Sequence, residues 1–201
     1  MPKIVDKPMM KKQIMEAALK AFLKYGFNNT TMNQIAQEAN IAKGTLYLYF
    51  KSKELLILQI TKQYFEQLST QLIAKEPFET LDELLNHIKN SLSINEDDSK
   101  FIPIFFEAFG AQVSSESFMK DYNDFFEKIG LFYTKNFELL IQNNQINKNI
   151  HPDTLGRVFI SMLDGIILHK GFFKIDEDKY TQMVDDAIGL FRGGLSNSKI
   201  T

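Results

Sequence analysis

Apolar residues recur every three or four positions along most of this chain, and this spacing is typical of amphipathic α-helices. The first such stretch runs from about Met9 to Tyr25, and Gly26 ends it. The helix is predicted to supply a core through one apolar face, which is formed by Ile14, Ala17, Ala18, Ala21 and Phe22.

Two shorter helices, joined by a tight turn, are predicted between residues 30 and 54. Thr31 and Gln34 have the spacing of a capping box, so the first of these helices can begin at Thr31. Asn40 follows it, and asparagine tolerates the left-handed backbone conformation that often ends a helix. The second helix opens with Lys43 and packs its apolar residues inward. This pattern is typical of a helix-turn-helix, in which the second helix enters the major groove of DNA.

Six further helices are predicted over the rest of the chain. Thr80 and Glu83 form a second capping box at the start of one of them. The polar run 95–100 is interpreted as a loop, and Gly193-Gly194 as the end of the last helix. In chain order the six predicted helices cover residues 52–75, 80–92, 101–113, 118–143, 153–173 and 179–192. The chain is therefore expected to be all-α, with about nine helices.

The distribution of charge favours a nucleic-acid partner. The net charge is only −2, but residues 1–54 hold nine lysines and four acidic residues, a balance of +5. The remaining residues hold the other 14 basic and 21 acidic side chains, a balance of −7. A DNA-binding surface needs local cations rather than a positive total. Solvated lysines are the alternative interpretation, and the adjacent helix-turn-helix favours DNA.

Composition excludes several other classes of protein. The 201 residues are 44% hydrophobic, which suits a sizeable core, and contain no cysteine for disulfides or thiolate metal sites. The N-terminal residues have no apolar signal core, and no apolar run reaches the ~18 residues of a membrane span. The three histidines lack metal-ligand spacing, and no catalytic or phosphate-binding motif is present. We therefore expect a cytoplasmic protein that is not an enzyme, uses no metal or cofactor and has no membrane partner.

The segment from Thr30 to Leu55 resembles the DNA-binding domain of the TetR family of bacterial repressors. Two positions depart from the family pattern: Asn40 stands where glycine is usual, and Ala42 stands where Ser or Thr usually caps the recognition helix. The resemblance implies a helix-turn-helix domain over 1–54 and a ligand-binding and dimerisation domain over 55–201. The matching residues are Thr30-Thr31, Ile35-Ala36, Ala39, Ile41, Lys43 to Tyr47, Tyr49 to Leu55, and Ala17-Ala18, Phe22 and Gly26 in the preceding helix.

Three residues at the start of the recognition helix are the candidates for contact with base edges. Lys43 has the reach for a guanine, and the Thr45 methyl group suits a thymine methyl. Gly44 would allow the helix to approach DNA closely. For the aromatic residues Tyr49 and Phe50, core packing is the favoured interpretation.

Four other residues are candidates for contact with DNA phosphates. The Tyr47 side chain faces away from the core side of the recognition helix, and the resemblance supports a phosphate contact for Tyr47 and for Lys53. Thr30 and Thr31 lie at a helix N-terminus that would point at the DNA backbone.

The C-terminal helices carry an aromatic stripe, since 14 of the 18 phenylalanines follow residue 77. The pattern alone favours core packing over a pocket. The resemblance to the TetR family favours a cavity for a small inducer instead, and the scarcity of clustered cations argues for a hydrophobic rather than an anionic molecule. The candidate ligand-binding residues are Phe105, Phe109, Phe125, Phe126, Phe132, Tyr133, Met162 and His169.

The last two predicted helices are apolar on more than one side, which a monomer would leave exposed. Dimerisation through a four-helix bundle would cover these faces, as the resemblance implies, and two recognition helices would then read a palindromic operator. We therefore expect a homodimeric repressor of TetR type that a small hydrophobic molecule releases from double-stranded DNA. Two alternatives stay open: a DNA-binding dimer with no small-molecule inducer, and a ligand-binding or catalytic protein that no longer recognises DNA.

Overall fold

A computed structural model describes residues 6–74, 76–94, 96–173 and 175–196, without the side chains of residues 96–98 and 111. Over these ranges the chain forms nine α-helices and no strand, so the prediction of an all-α fold with about nine helices is confirmed. The helices are α1 (Lys7–Tyr25), α2 (Met32–Glu38), α3 (Lys43–Tyr49), α4 (Lys53–Leu72), α5 (Leu81–Ser91), α6 (Glu96–Gln112), α7 (Glu116–Gln142), α8 (Pro152–Phe173) and α9 (Glu177–Leu195).

The helices pack into two compact units. The N-terminal unit comprises Met1–Glu66 and Lys100–Asp121, and the C-terminal unit comprises Gln67–Ser99 and Tyr122–Thr201. These units describe packing, whereas the predicted boundary after residue 54 concerns a division of function. That functional boundary stays a prediction.

The core of the N-terminal unit is built on the apolar face of α1, as its spacing predicts. Phe22 of α1 and Phe27 just beyond it are fully buried, with their ring centroids 5.3 Å apart. Gly26 ends α1 with a φ of +79°, a conformation that side chains with a Cβ rarely adopt. The turn after α1 is therefore fixed both by a glycine and by an aromatic anchor.

The core of the C-terminal unit is formed by α5, α7, α8 and α9. Tyr133 and Phe137 of α7 pack their rings against Phe159 of α8, with centroids 5.0 and 5.7 Å away. The predicted capping box at the start of α5 is present, since Thr80 accepts from the Glu83 amide and Glu83 accepts from the Thr80 amide.

Several predicted helix ends differ from the observed ones. The run 95–100 was expected to be a loop, but α6 begins at Glu96 and includes residues 96–100. The last helix was expected to stop at Gly193-Gly194, but α9 continues to Leu195, which is buried and accepts a hydrogen bond from the Asn147 amide. The predicted end of the fourth helix, Lys75, lies outside the described residues, and α4 ends at Leu72.

Candidate nucleic-acid interface and ligand-binding region

The capping box predicted at the start of α2 is present. The Thr31 amide donates to Gln34 Oε1 at 2.8 Å, and the Gln34 amide donates to Thr31 Oγ1 at 3.3 Å. Thr31 is nevertheless exposed, so its hydroxyl group lies at the surface where α2 begins. Its position is compatible with the predicted phosphate contact.

The turn between α2 and α3 is tight. Asn40 adopts the left-handed conformation expected of it, with a φ of +52°, and the Ile41 amide donates to Ala36 O at 3.0 Å. Ala42 then precedes α3 and supplies no side-chain cap, as its chemistry requires. The departure from the family pattern at residue 42 therefore leaves the start of α3 without the usual hydroxyl group.

The outer face of α3 carries the residues predicted to read bases. Lys43 and Gly44 are exposed, and no described atom lies within 4 Å of a Cβ built on Gly44. Thr45 and Tyr47 are half-buried, and the Lys43 ammonium lies 5.9 Å from the centre of the Tyr47 ring. These four predicted residues therefore share one short helix, with its cation and its phenol on adjacent turns.

Leu48 is a surface residue of α3 that the sequence analysis did not single out. Its side chain is 77% exposed, whereas Leu46 on the same helix is fully buried. Residues two positions apart lie on roughly opposite sides of an α-helix, so a buried Leu46 implies an exposed Leu48. The spacing in the sequence therefore contained a signal for this exposure. An exposed leucine next to the face that is predicted to read bases has the chemistry to contact a thymine methyl group.

Thr30 occupies a different environment from the rest of the predicted set. Its side chain is buried, and its hydroxyl group is 2.6 Å from Gly26 O and 3.2 Å from Ala21 O, both of which can accept its proton. The structure therefore places this hydroxyl group against the end of α1 rather than at the surface. Its contact with phosphate stays a prediction that nothing in this position favours.

Lys53 lies at the first residue of α4 and is half-buried. Its ammonium donates to Phe27 O and to Asn28 O, each at 2.8 Å, and lies 4.8 Å from the centre of the Phe27 ring. The turn after α1 therefore holds the cation that was predicted to contact phosphate.

The predicted ligand-binding residues are divided between the two units. Phe105 and Phe109 of α6 belong to the N-terminal unit, where their rings are 6.0 Å apart. The C-terminal unit holds the other six. On α7, two pairs of rings are in contact, Phe125 with Phe126 at 5.1 Å and Phe132 with Tyr133 at 5.2 Å, while Met162 and His169 lie on α8.

Burial differs widely among these candidates. Tyr133 is fully buried, its hydroxyl group has no hydrogen-bond partner among the described residues, and burial raises its pKa. His169 is exposed beside Phe173, with a ring distance of 4.8 Å. The surroundings of Tyr133 are those of a packed core, and the surroundings of His169 are those of a surface.

A groove of about 460 Å³ lies between α7 and α8 in the C-terminal unit. Its only member from the predicted ligand-binding set is Phe126. Three carboxyl groups line it, those of Glu127, Asp153 and Asp164, together with the guanidinium of Arg157. Burial raises the pKa of Asp164 to about 7. The groove is therefore more acidic than the aromatic pattern of the sequence suggested.

Each of the last two helices exposes a large apolar side chain. Val158 of α8 is 59% exposed and Leu190 of α9 is 78% exposed. Gly189 and Gly193, on the same side of α9 as Leu190, line a shallow depression with it. This is the exposed apolar surface that the sequence pattern predicted for these helices.

No group of three or more histidine or acidic side chains within the described residues has the arrangement of a metal site. None of the described helices is long and apolar enough to cross a membrane.

The comparisons with known proteins agree on one class of protein, the transcriptional regulators. Residues 14–60 match the model of the bacterial regulatory proteins of the tetR family. The HTH-type transcriptional regulator YuxN of Bacillus subtilis is 42% identical over 62 residues, which are 31% of this chain and 21% of YuxN. The HTH-type transcriptional regulator YfiR from the same organism is 25% identical to this chain over 186 residues, which are 89% of this chain and 88% of YfiR. The chain thus spans well under two thirds of the length of YuxN.

A solved structure extends the likeness to the whole fold. A transcriptional regulator from Saccharomonospora viridis, in complex with choline, superposes with a TM-score of 0.75 over 90% of this chain and 96% of its own. At 16% identity this similarity shows a shared fold. The matched proteins are regulators, which agrees with the expectation that the chain is not an enzyme.

Proposed function

Because this chain belongs to the TetR family of bacterial regulatory proteins, we propose that it is a homodimeric repressor whose release from a palindromic operator is controlled by a small molecule. The observation that carries the proposal is the outer face of α3, where Lys43, Gly44 and Tyr47 are accessible while Leu46 is fully buried. A short helix anchored from below and accessible above is suited to entering the major groove.

The contacts with DNA would divide between bases and phosphates. Lys43 and Thr45 would read base edges, with Gly44 permitting close approach. Tyr47, Thr31 and Lys53 would bind phosphates and fix the register of α3 in the groove. We assign Thr30 chiefly to the local fold, because its hydroxyl group is buried against Gly26 O and Ala21 O.

Dimerisation would occur through α8 and α9. Val158 and Leu190 are large apolar residues that a monomer leaves exposed, and Gly189 and Gly193 would let a partner helix approach α9 closely. Two copies would then present two recognition helices to half-sites about one helical turn of DNA apart. We expect Leu190→Glu to shift the protein to monomer in analytical ultracentrifugation, and a dimer unchanged by this substitution would contradict the proposed interface.

The inducer would bind in the C-terminal helices, and we propose a molecule that is largely hydrophobic. The aromatic rings of α7 supply apolar surface, with Phe126 at the edge of the groove between α7 and α8. The carboxyl groups of Glu127, Asp153 and Asp164 in that groove would favour a molecule that also carries a positive charge.

Control would be a population shift between two conformations. The inducer would bind preferentially to the conformation in which the recognition helices are wrongly spaced, and the operator would bind to the other. By linkage, inducer and DNA weaken each other's binding by the same factor. Helix α4, which contributes residues to both compact units, is the proposed lever. We also propose that the protein acts in the cytoplasm, where the operator is.

The test is a screen for small molecules that raise the melting temperature of the full chain, followed by DNA binding with each hit. A molecule that stabilises the protein should weaken its binding to a duplex selected from a random-sequence pool. A molecule that binds the C-terminal helices but leaves DNA affinity unchanged would contradict control by an inducer.

A second candidate function is a DNA-binding dimer that has no small-molecule inducer. The observation that favours it is the closely packed aromatic core of α7 and α8, in which Tyr133, Phe137 and Phe159 are fully buried. In that case no molecule in the screen would change the melting temperature, and DNA binding would be the same with and without every compound.

A further inference from the structure

The turn that follows α1 is held from two sides by oppositely charged side chains. The amides of Phe27 and Asn28 both donate to the Glu107 carboxylate of α6, each at 2.9 Å. The carbonyl oxygens of the same two residues both accept from the Lys53 ammonium, each at 2.8 Å. All four residues belong to the N-terminal unit. Two consecutive residues of this turn therefore link a carboxylate to an ammonium group.

The arrangement requires a glycine at residue 26. Gly26 has a φ of +79°, and a Cβ built on it would lie 3.4 Å from Glu107 Oε2. That distance is an ordinary van der Waals contact, so the left-handed backbone conformation is what calls for glycine here.

The same arrangement restricts Lys53. An ammonium group has three N–H donors, and two of them are bound to the turn, which leaves one for another acceptor. A lysine normally loses much rotational freedom when it binds a phosphate, and fixing it beforehand reduces that cost. The hydrogen bonds to Glu107 also strengthen those that hold Lys53. An amide that donates to a carboxylate polarises its peptide group, so the carbonyl oxygen of that group accepts more strongly from the ammonium.

We propose that Glu107 is a positioning residue for DNA binding. It holds the turn after α1, and this turn holds the Lys53 ammonium in place for a DNA phosphate. The inference rests on the proposed function in one respect, namely that Lys53 contacts DNA. It assigns to α6 a role in the DNA-binding surface that Glu107 carries out without touching DNA itself.

The experiment compares full-length variants on a duplex that the unsubstituted protein selects from a random-sequence pool. The variants are Glu107→Gln, Lys53→Met and the double variant, with Glu116→Gln as the control. Glu116 is an exposed glutamate of the same unit, so Glu116→Gln makes the same change of charge without disturbing the turn. Dissociation constants are measured at several salt concentrations, and melting temperatures establish that each variant is folded.

The sign of the effect separates positioning from electrostatics. Removing a negative charge should by itself leave DNA binding unchanged or strengthen it, and this is the result expected for Glu116→Gln. Glu107→Gln keeps one acceptor oxygen but loses the other, and we expect about fivefold weaker binding, the equivalent of one net hydrogen bond. Lys53→Met should weaken binding and lower the salt slope by about one. The double variant should bind no more weakly than Lys53→Met, because Glu107 acts through Lys53.

The possible failures are distinguishable. If Lys53→Met binds like the unsubstituted protein, the phosphate contact of the proposed function is wrong. If Lys53→Met weakens binding while a folded Glu107→Gln matches Glu116→Gln, the phosphate contact stands and the positioning role is overturned. Additive losses in the double variant would also overturn it. If Glu107→Gln is poorly folded, Glu107→Asp takes its place, since it keeps the charge on a shorter side chain. The result we expect and the result that would overturn the proposal are the same for both variants.

Discussion

Gly156 of α8 lies directly against Thr134 of α7. A Cβ built on Gly156 would be 2.6 Å from Thr134 Oγ1, 2.9 Å from the backbone oxygen of Gly130 and 3.2 Å from the Thr134 amide nitrogen. Two of these three atoms belong to the backbone, so the clash cannot be relieved by rotating a side chain. The two helices therefore approach closely only because residue 156 has no side chain.

We expect Gly156→Ala to lower the free energy of unfolding by about 1–3 kcal/mol, the usual cost of overpacking. The measurement is chemical denaturation followed by circular dichroism. Gly110→Ala is the control, since Gly110 is also helical but exposed, with no described atom within 4 Å of its Cβ. That variant should gain about 0.5–1 kcal/mol, because alanine has the higher helix propensity. Equal effects of the two substitutions would contradict the close approach of α7 and α8.

The local features of the N-terminal helices were predictable because each is encoded by residues close together in the sequence. The capping box at Thr31 and the left-handed Asn40 depend only on neighbouring positions, and the structure contains both. The bonds of Glu107 to the turn after α1 join residues about eighty positions apart, and the sequence pattern contains no signal for a contact of that kind.

The two capping boxes allow the structural and DNA-binding roles of Thr31 to be separated. Thr31→Ala and Thr80→Ala each remove the side-chain acceptor of a helix N-cap, so each should cost about 0.5–2 kcal/mol of stability. Only Thr31→Ala should also weaken DNA binding, since Thr31 is exposed at the start of α2. Denaturation and DNA titration of both variants test this, and equal DNA affinities would remove Thr31 from the interface.

The double variant Lys43→Ala/Tyr47→Phe tests the face of α3. Both side chains are accessible, and neither forms a hydrogen bond to the rest of the described chain, so the variant should fold normally. Its affinity for the selected duplex should fall by roughly tenfold or more, because a base contact is typically worth about 1–3 kcal/mol.

Lys62→Ala is the matched control for that variant, since Lys62 is an exposed lysine further along α4. It should show near-normal affinity. If the α3 variant and the Lys62 control bind DNA equally well, the assignment of Lys43 and Tyr47 is wrong.

Asp164 should make the stability of the protein depend on pH. Burial raises the pKa of this carboxyl group to about 7 from a usual value of 3.8. Between these values the folded protein holds a proton that the unfolded chain has released, so stability falls as the pH rises through this window. Asp164→Asn cannot ionise, and its melting temperature relative to the unsubstituted protein should increase from about pH 4.5 to about pH 8.

The control for this measurement is a substitution at another titratable group near Asp164. Glu127, Asp153 and Arg157 line the same groove. Burial raises the pKa of Tyr122, and the negative charge of Asp164 raises it further. Glu127→Gln, which removes an exposed carboxyl group of the same groove, is the control variant. A constant difference in melting temperature between Asp164→Asn and the unsubstituted protein would contradict the burial of this carboxyl group.

The ligand-binding region was much less predictable than the helix-turn-helix. An aromatic stripe has the same spacing whether it lines a cavity or fills a core, and Tyr133 proves to be fully buried. The carboxyl groups of Glu127 and Asp164 share a groove because α7 and α8 pack together, and the hydrophobic pattern of a single sequence does not reveal which distant helices pair.

We propose that a dimer of this chain reads a palindromic DNA sequence through α3 and phosphate contacts. The most direct measurement is binding of the full chain to duplexes selected from a random-sequence pool, over a series of salt concentrations. We expect that a palindrome is selected, that two protomers bind each duplex, and that affinity falls steeply with salt. Weak binding that is equal on all sequences, or one protomer on a site without symmetry, would contradict it.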